Sequence, residues 1–354
     1  MVDAEHGDGV GRPLAGPQGS PAARPKSIPR PSLAGSSLAA RLPRLLRREQ
    51  WTLGLVEQSA EDVVRHGLTT PVRWMDPPRR GFIADPWGMV LPDGRLHLLA
   101  EVLEFGAFKG VLAAATVAPQ DFERAAFSPI IDLPVHLSYP QALPWQGRWL
   151  LFCESWEALG ILVFAAPAPD GPWRLETRLL PGVPVVDPTP VEHAGRWYLF
   201  HTRQDDGPNS RLRLLHGPTP LGPWEPHARA VVAEGAGGAR PAGPLFRLGD
   251  GTLIRPGQDC RRTYGGALCL FRVDALTPDA YAETLLRIIA PPAGPWADGL
   301  HSLCPLDDGR CLVDGKRWRA APLEPLRAVL RMPAARRRRR LAPGIAGSGE
   351  LRSF

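Results

Sequence analysis

Five polar residues stand at matching places along this chain. Asp85, Tyr139, Asp187, Arg240 and His301 each lie eight to eleven positions before a glycine that closes their segment, at Gly94, Gly147, Gly195, Gly251 and Gly309. Two carboxylates, a phenol, a guanidinium and an imidazole brought together can hold a polar ligand and move a proton. Arg240 implies an anionic feature on that ligand, a phosphate or carboxylate. Taken singly, each residue type is ordinarily structural, as a strand cap or half of an ion pair. Five of them at one repeated place point to a ligand site, with a structural polar plug as the alternative.

A second set follows the glycines: Glu101, Glu154, His201, Arg255 with Gln258 and Asp259, and Asp314. Glu154 follows the apolar residues Leu151, Phe152 and Cys153, so its carboxyl must meet water, a partner or a ligand. Trp156, just beyond it in a loop-like stretch, is the candidate platform for a sugar ring.

The elements that must position these groups are five hairpins. FIADPWGMVLPDGRLHLLAE, residues 82–101, reads as a strand, a tight turn and a return strand, with apolar side chains at roughly every second position. Pro92-Asp93-Gly94 supplies the turn, because glycine reaches positive φ without steric cost. The same unit recurs at 137–155, 185–202, 239–259 and 299–316, and the turn glycines are 53, 48, 56 and 58 residues apart. That period with a strand-turn-strand core indicates propeller blades rather than a helical solenoid. Four hairpins are followed by a further strand pair, at 110–117 with 127–133, 160–167 with 172–180, 211–218 with 223–232, and 266–273 with 281–290. The fifth is not, whereas an unclaimed pair lies at 51–59 and 71–75, ahead of the first. The economical solution is an all-β, five-bladed β-propeller closed by the N-terminal strands, which leaves no exposed sheet edge. It is expected to span residues 49–320, with disordered tails at 1–48 and 321–354. The first strand of each blade lines the channel, so the five repeated polar residues face one axis.

Composition agrees. The 354 residues are 44% hydrophobic and 22% charged, enough for one large β domain. The net charge of +6 is nearly all arginine and peaks in five consecutive arginines at 336–340, which read as a solvated tail. That excess suggests a GC-rich genome rather than a nucleic-acid-binding face. Residues 37–48 have the pattern of a short amphipathic helix interrupted by Pro43. Five cysteines without metal-ligand spacing read as buried thiols, with one disulfide between Cys304 and Cys311 conceivable across their hairpin. No apolar run is long enough for a transmembrane segment and no signal-type core is present, so the expected location is cytoplasmic.

ADPW at 84–87, HLSYP at 136–140, ARPAG at 239–243, Gln258-Asp259 and Tyr264-Gly265 resemble the N-terminal domain of glucosamine inositolphosphorylceramide transferases, over about residues 50–320. The resemblance implies a role in glycoconjugate synthesis, in a bacterial setting. It also implies a separate glycosyltransferase or formyltransferase protein as partner, because neither domain follows here. That domain is in turn similar to the five-bladed family 43 furanosidase propellers. Their pattern makes Asp85 a general base and Asp187 an orienting aspartate, and sets a general acid where this chain has Ala242, a methyl that cannot donate a proton. Asp259 or Glu154 would then be the displaced acid. His301 resembles the histidine that faces a central calcium or sodium in those enzymes; a lone histidine assigns no metal ligand.

The expectations are therefore a propeller that recognises or modifies a carbohydrate through Asp85, Asp187, Tyr139, Arg240, His301, Glu101, Trp156 and Gln258, with a sugar or phosphosugar as partner. The alternatives are a glycoside hydrolase with Asp259 or Glu154 as acid, and a scaffold whose tails recruit other proteins.

Overall fold

The structure, a computed structural model, describes residues 46–323 apart from Phe108. The expected tails, the helix at 37–48 and the arginine run lie almost wholly outside these residues. Within them the chain forms five antiparallel sheets. Blade one runs Gly81–Val90, Leu96–Glu104, Gly110–Val117 and Ser128–Ile131 from the axis outward, and blade two Ser138–Trp145, Arg148–Glu154, Ile161–Ala166 and Arg174–Leu179. Blade three is Val185–His193, Arg196–Arg203 and Arg211–Gly217 with the short Glu225–Pro226 and Ala233–Glu234. Blade four is Gly237–Pro241 with Phe246–Arg247, then Leu253–Asp259, Ala267–Leu276 and Tyr281–Ile289. Blade five begins with Gly299–Pro305 and Cys311–Ala320 and is completed by Arg47–Val56 and Val72–Trp74 from the other end of the chain. The ring closes as the strand count requires.

The five turn glycines have φ between +73° and +85° with open space beside each, so conformation and not crowding selects glycine there. Apolar cores fill the seams between blades. Leu150, Phe152 and Ile161 of blade two meet Val185 and Leu199 of blade three, and Tyr198 and Phe200 of blade three meet Leu253 and Tyr281 of blade four. Each such buried side chain contributes about 1.5–3 kcal/mol relative to exposure. Trp87 meets Trp149 edge-on at 6.0 Å and Trp145 meets Trp197 at 5.7 Å, tying inner hairpins across two seams. Trp173 and Trp224, which follow Gly-Pro, pack against the seams of blade two, and Trp296 is buried beside Trp74.

The five cysteines are free and four of them are buried, as the sequence reading had them. The conceivable Cys304–Cys311 disulfide is absent because the hairpin register sets Cys304 opposite Leu312 and Pro305 opposite Cys311, which turns the thiols to opposite faces. An unforeseen helix, Ala60–His66, links the two N-terminal strands; Ser59 caps it by accepting the Asp62 N–H, and Val63 and Val64 bury its inner face.

Candidate functional site

One backbone device builds the site. All five inner strands break register at the same level, at 84–87, 138–141, 186–189, 237–240 and 300–303. The residue at the break has positive φ in four blades: Asp85 (+56°), Tyr139 (+49°), Asp187 (+48°) and Gly238 (+120°). In the first three a proline follows, at Pro86, Pro140 and Pro188. A bulge re-aims the side chain of its extra residue, and for a non-glycine this conformation costs about 1–3 kcal/mol. That strain is held so that Asp85, Tyr139 and Asp187 face the axis.

Second strands then hold the bulges. Asp314 Oδ1 accepts the N–H groups of His301 and Ser302 at 3.0 and 2.9 Å, and its Oδ2 accepts that of Asp85, in the next blade, at 3.1 Å. Glu154 Oε2 accepts the N–H of Asp187 at 3.1 Å, and Asp85 Oδ2 that of Tyr139 at 3.2 Å. His301 lies between two carboxylates, Nδ1 at 2.6 Å from Asp314 and Nε2 at 3.4 Å from Asp85, with its ring stacked on Trp51 at 3.9 Å. Arg240 donates Nε and Nη2 to Asp187 at 2.6 and 3.2 Å and Nη1 to Asn209 at 3.2 Å, and passes Glu154 at 3.6 Å. Gln258 donates to Asp187 at 3.2 Å.

Five carboxyls, Asp85, Glu101, Glu154, Asp187 and Asp314, thus share two cations, Arg240 and His301. Burial first, then the opposing pull of His301 and the push of Asp187, bring Asp85 up to about 6. Burial and the neighbouring carboxylates push Glu101 and Glu154 well above the usual range. For His301, burial opposes the charge, but Asp314 and Asp85 outweigh it and raise its pKa. Asp314 moves the other way, below the usual range, because His301 and the N–H donors overcome its burial. Glu101 keeps Oε1 without a hydrogen-bond partner, 3.5 Å from His136 Nε2.

The structure brings together Asp85, Asp187, Glu154, Arg240, His301, Glu101 and Gln258. Tyr139 joins the wall: its hydroxyl accepts the Gly243 N–H at 2.7 Å and meets Thr189 Oγ1 at 3.0 Å. Asp259 does not join. Gln258 points at Asp187, so strand alternation turns Asp259 the other way, where Arg261 engages both its oxygens. Ala242 is fully buried in the seam of blades four and five. Trp156 opens a short 3-10 turn, partly exposed, right after Glu154 and Ser155. Arg240 is not at the bulge, which Gly238 occupies because a Cβ there would strike Phe271; Arg240 reaches in from two residues on and is engaged by Asp187 rather than open to an anion.

Sequence reasoning gave Asp314 too small a part and missed Trp51, Lys316 and the capping role of Tyr264. Tyr264 leans over the cluster from the 260–266 loop, with the Arg240 guanidinium 4.9 Å from its ring and His301 5.3 Å away edge-on. Lys316, fully buried, bonds the Tyr264 carbonyl, Thr263 and Glu49. Charged residues alternating in an apolar strand, Asp314 and Lys316 in CLVDGK, were the available signal.

Asp85, His301 and Asp314 offer one atom each within 4.8 Å of one another, a possible metal donor set. As it stands, the set is arranged as an imidazole between two carboxylates, Asp314 on Nδ1 and Asp85 on Nε2. At the turn ends of the inner strands a separate cavity of about 690 Å³ is lined by Trp87, Trp149, Phe246, Leu248 and Arg247, and by none of the axial carboxylates.

Residues 65–291 match the family model described as glucosamine inositolphosphorylceramide transferase 1, N-terminal. The chain is 30% identical to the protein of that name from Oryza sativa over 212 residues, 58% of this chain and 28% of that one. With the Arabidopsis thaliana protein it shares 31% over 207 residues, 57% and 27% of the two. The match therefore spans less than a third of these curated relatives. They are plant proteins, so the expected bacterial setting is overturned. Among solved structures, a family 117 glycoside hydrolase from Zobellia galactanivorans superposes with a TM-score of 0.48 at 13% identity, over 76% of this chain and 90% of that one. An α-L-arabinofuranosidase from Podospora anserina gives 0.47 at 14%, over 66% and 76%. Likeness at that level carries no role to any residue. Among the described residues no helix is long and apolar enough to cross a membrane.

Proposed function

The chain belongs to the family of the N-terminal domain of glucosamine inositolphosphorylceramide transferase 1, and from that membership we propose that it is a carbohydrate-recognising propeller serving glycosyl transfer, not a hydrolase. The observation that carries the reading is the axial cluster, where strained bulges hold five carboxyls against two cations. Such a surplus favours a ligand that donates hydrogen bonds or carries positive charge, as the hydroxyls and ammonium of an amino sugar do. Because Arg240 is engaged by Asp187, the reading drops the anionic feature that the sequence suggested. Asp85 is the acceptor with capacity left, and Tyr264 would cover the bound ring.

Ala242 supports this reading, since the strand carboxyls of blade four, Asp259, Asp274 and Glu283, are engaged by Arg261, Arg272 and Arg255 and none is placed at Ala242 to protonate a leaving oxygen. Titration of the purified protein with glucosamine and glucose tests the proposal. Binding of glucosamine tighter than glucose, weakened about tenfold or more by Asp85→Asn, supports it; no binding of either contradicts it.

A second reading is favoured by one observation: beside Asp85, at about 6, Glu154 is raised well above the usual carboxyl range by burial and by Asp187, so the two carboxyls are tuned apart. It makes Glu154 the displaced general acid of a glycosidase. Release from aryl furanosides or pyranosides that disappears in both Asp85→Asn and Glu154→Gln would establish it, and no release from any of them would remove it.

A further inference from the structure

Blade five carries a feature that the axial site does not use. Its second strand runs on past the inner strand: Gly299 pairs with Lys316, whereas residues 317–320 pair only with 47–50. The result is a two-stranded arm. Period-two alternation puts Arg48, Gln50, Arg317 and Arg319 on one of its faces, with Arg48 opposite Arg319 and Gln50 opposite Arg317. The other face holds Glu49 and Lys316, which bond each other at 3.2 Å.

Arg317 and Arg319 have no such balance among the described residues. The Gln50 carboxamide is fully buried and clamped, its Nε2 donating to the carbonyls of Gly81 at 3.0 Å and Pro78 at 3.2 Å. Its single Oε1 then accepts three N–H groups: Nε and Nη2 of Arg317 at 3.0 and 2.8 Å, and Nη1 of Arg319 at 3.3 Å. One neutral oxygen with two lone pairs holds two guanidinium groups side by side. Among the described residues no carboxylate forms an ion pair with Arg317 or Arg319. Arg317 is held over the Trp296 ring at 4.3 Å and Arg48 over Phe105 at 3.7 Å, so both planes are fixed. The electrostatics agree: burial and then the repulsion of Arg319 lower the Arg317 pKa, with no acidic neighbour acting in the other direction. Two guanidinium forks converging on an over-subscribed acceptor, one of them held over Trp296, suit an anion with several oxygens.

We propose that the face formed by Arg317 and Arg319 around Gln50 is a binding site for a phosphate group. Its oxygens would take the guanidinium N–H groups that the Gln50 carbonyl cannot satisfy. The site is separate from the axial cluster and does not depend on the sugar reading, so either can fail alone.

The test uses the full chain and inorganic phosphate as probe, with chloride at equal ionic strength as reference. Phosphate is expected to raise the melting temperature beyond chloride, and the apparent affinity to fall about tenfold for each arginine removed in Arg317→Ala and Arg319→Ala. Arg319 is exposed, so its variant keeps the fold and the comparison interpretable. Sedimentation with phosphatidylcholine vesicles, with and without phosphatidic acid, identifies the source. Vesicle binding that falls in Arg319→Ala assigns the phosphate to a lipid headgroup, and a phosphate response without vesicle binding assigns it to a soluble ligand. The arginines at 336–340 are present in every variant, so only the difference from wild type is read. A phosphate response no greater than that of chloride, or one unchanged in both variants, overturns the proposal.

Discussion

Two buried ion networks share this ring and are built on opposite principles. In blade four, Arg255 donates Nε and Nη2 to the two oxygens of Glu283 at 2.7 and 2.8 Å, Tyr281 adds its hydroxyl to Glu283 at 2.5 Å, and the guanidinium lies over Phe271. One cation meets one carboxylate, so the pair is closed in charge, with Arg255 Nη1 alone left without a hydrogen bond among its nitrogens. At the axis, five carboxyls surround Arg240 and His301, and burial raises the pKa values of Asp85, Glu101 and Glu154. The closed pair does structural work and offers a ligand little. The open cluster is unstable by its own charge and persists because strained bulges impose it; that surplus marks the site.

Breaking the closed pair is expected to have the largest effect. Glu283→Gln leaves Arg255 buried without a counter-charge and should destabilise by about 3–5 kcal/mol in urea unfolding; wild-type stability would erase the contrast. Within the cluster, Asp314 behaves as a structural member. Its carboxyl is held below the usual range, so its contribution is present at neutral pH and is lost as pH falls through that lowered value. Asp314→Asn should therefore cost about 2–4 kcal/mol at neutral pH, with the deficit shrinking in acid.

Asp85 has the opposite sign. Its folded pKa of about 6 lies above the ordinary 3.8, so folding disfavours the charged form. That penalty is absent below the ordinary value, grows as pH rises through the interval and is complete above about 6. Asp85→Asn should stabilise the protein by about 1–3 kcal/mol at neutral pH and little in acid, since asparagine tolerates the left-handed conformation. A lower melting temperature at neutral pH would contradict the surplus-charge account. The smallest effect belongs outside both networks: Arg319→Ala should change stability by less than about 0.5 kcal/mol in the same urea experiment.

The ring was legible because glycine turns and period-two strands are local signals, and the unclaimed strands at the N-terminus matched the deficit in blade five. The axis was legible from the repeated polar positions. The bulges were not read, although proline follows Asp85, Tyr139 and Asp187 at the same level; a left-handed φ is a tertiary outcome that propensity does not encode. Arg240 was misjudged for a related reason. Its partner Asp187 is 53 residues away, and only the ring brings them to 2.6 Å. Asp259 failed by one position, since the face of its strand is set by the register in which Gln258 sits opposite Arg240.

The most direct test of the central claim is calorimetric titration of glucosamine into wild type and Asp85→Asn, in two buffers of different ionisation enthalpy. An ammonium entering the cluster must draw protons off Asp85, Glu101 or Glu154, so the account predicts binding with net proton release in wild type, and weaker binding with less release in Asp85→Asn. Equal affinity in both proteins, or binding with no buffer dependence, would contradict it.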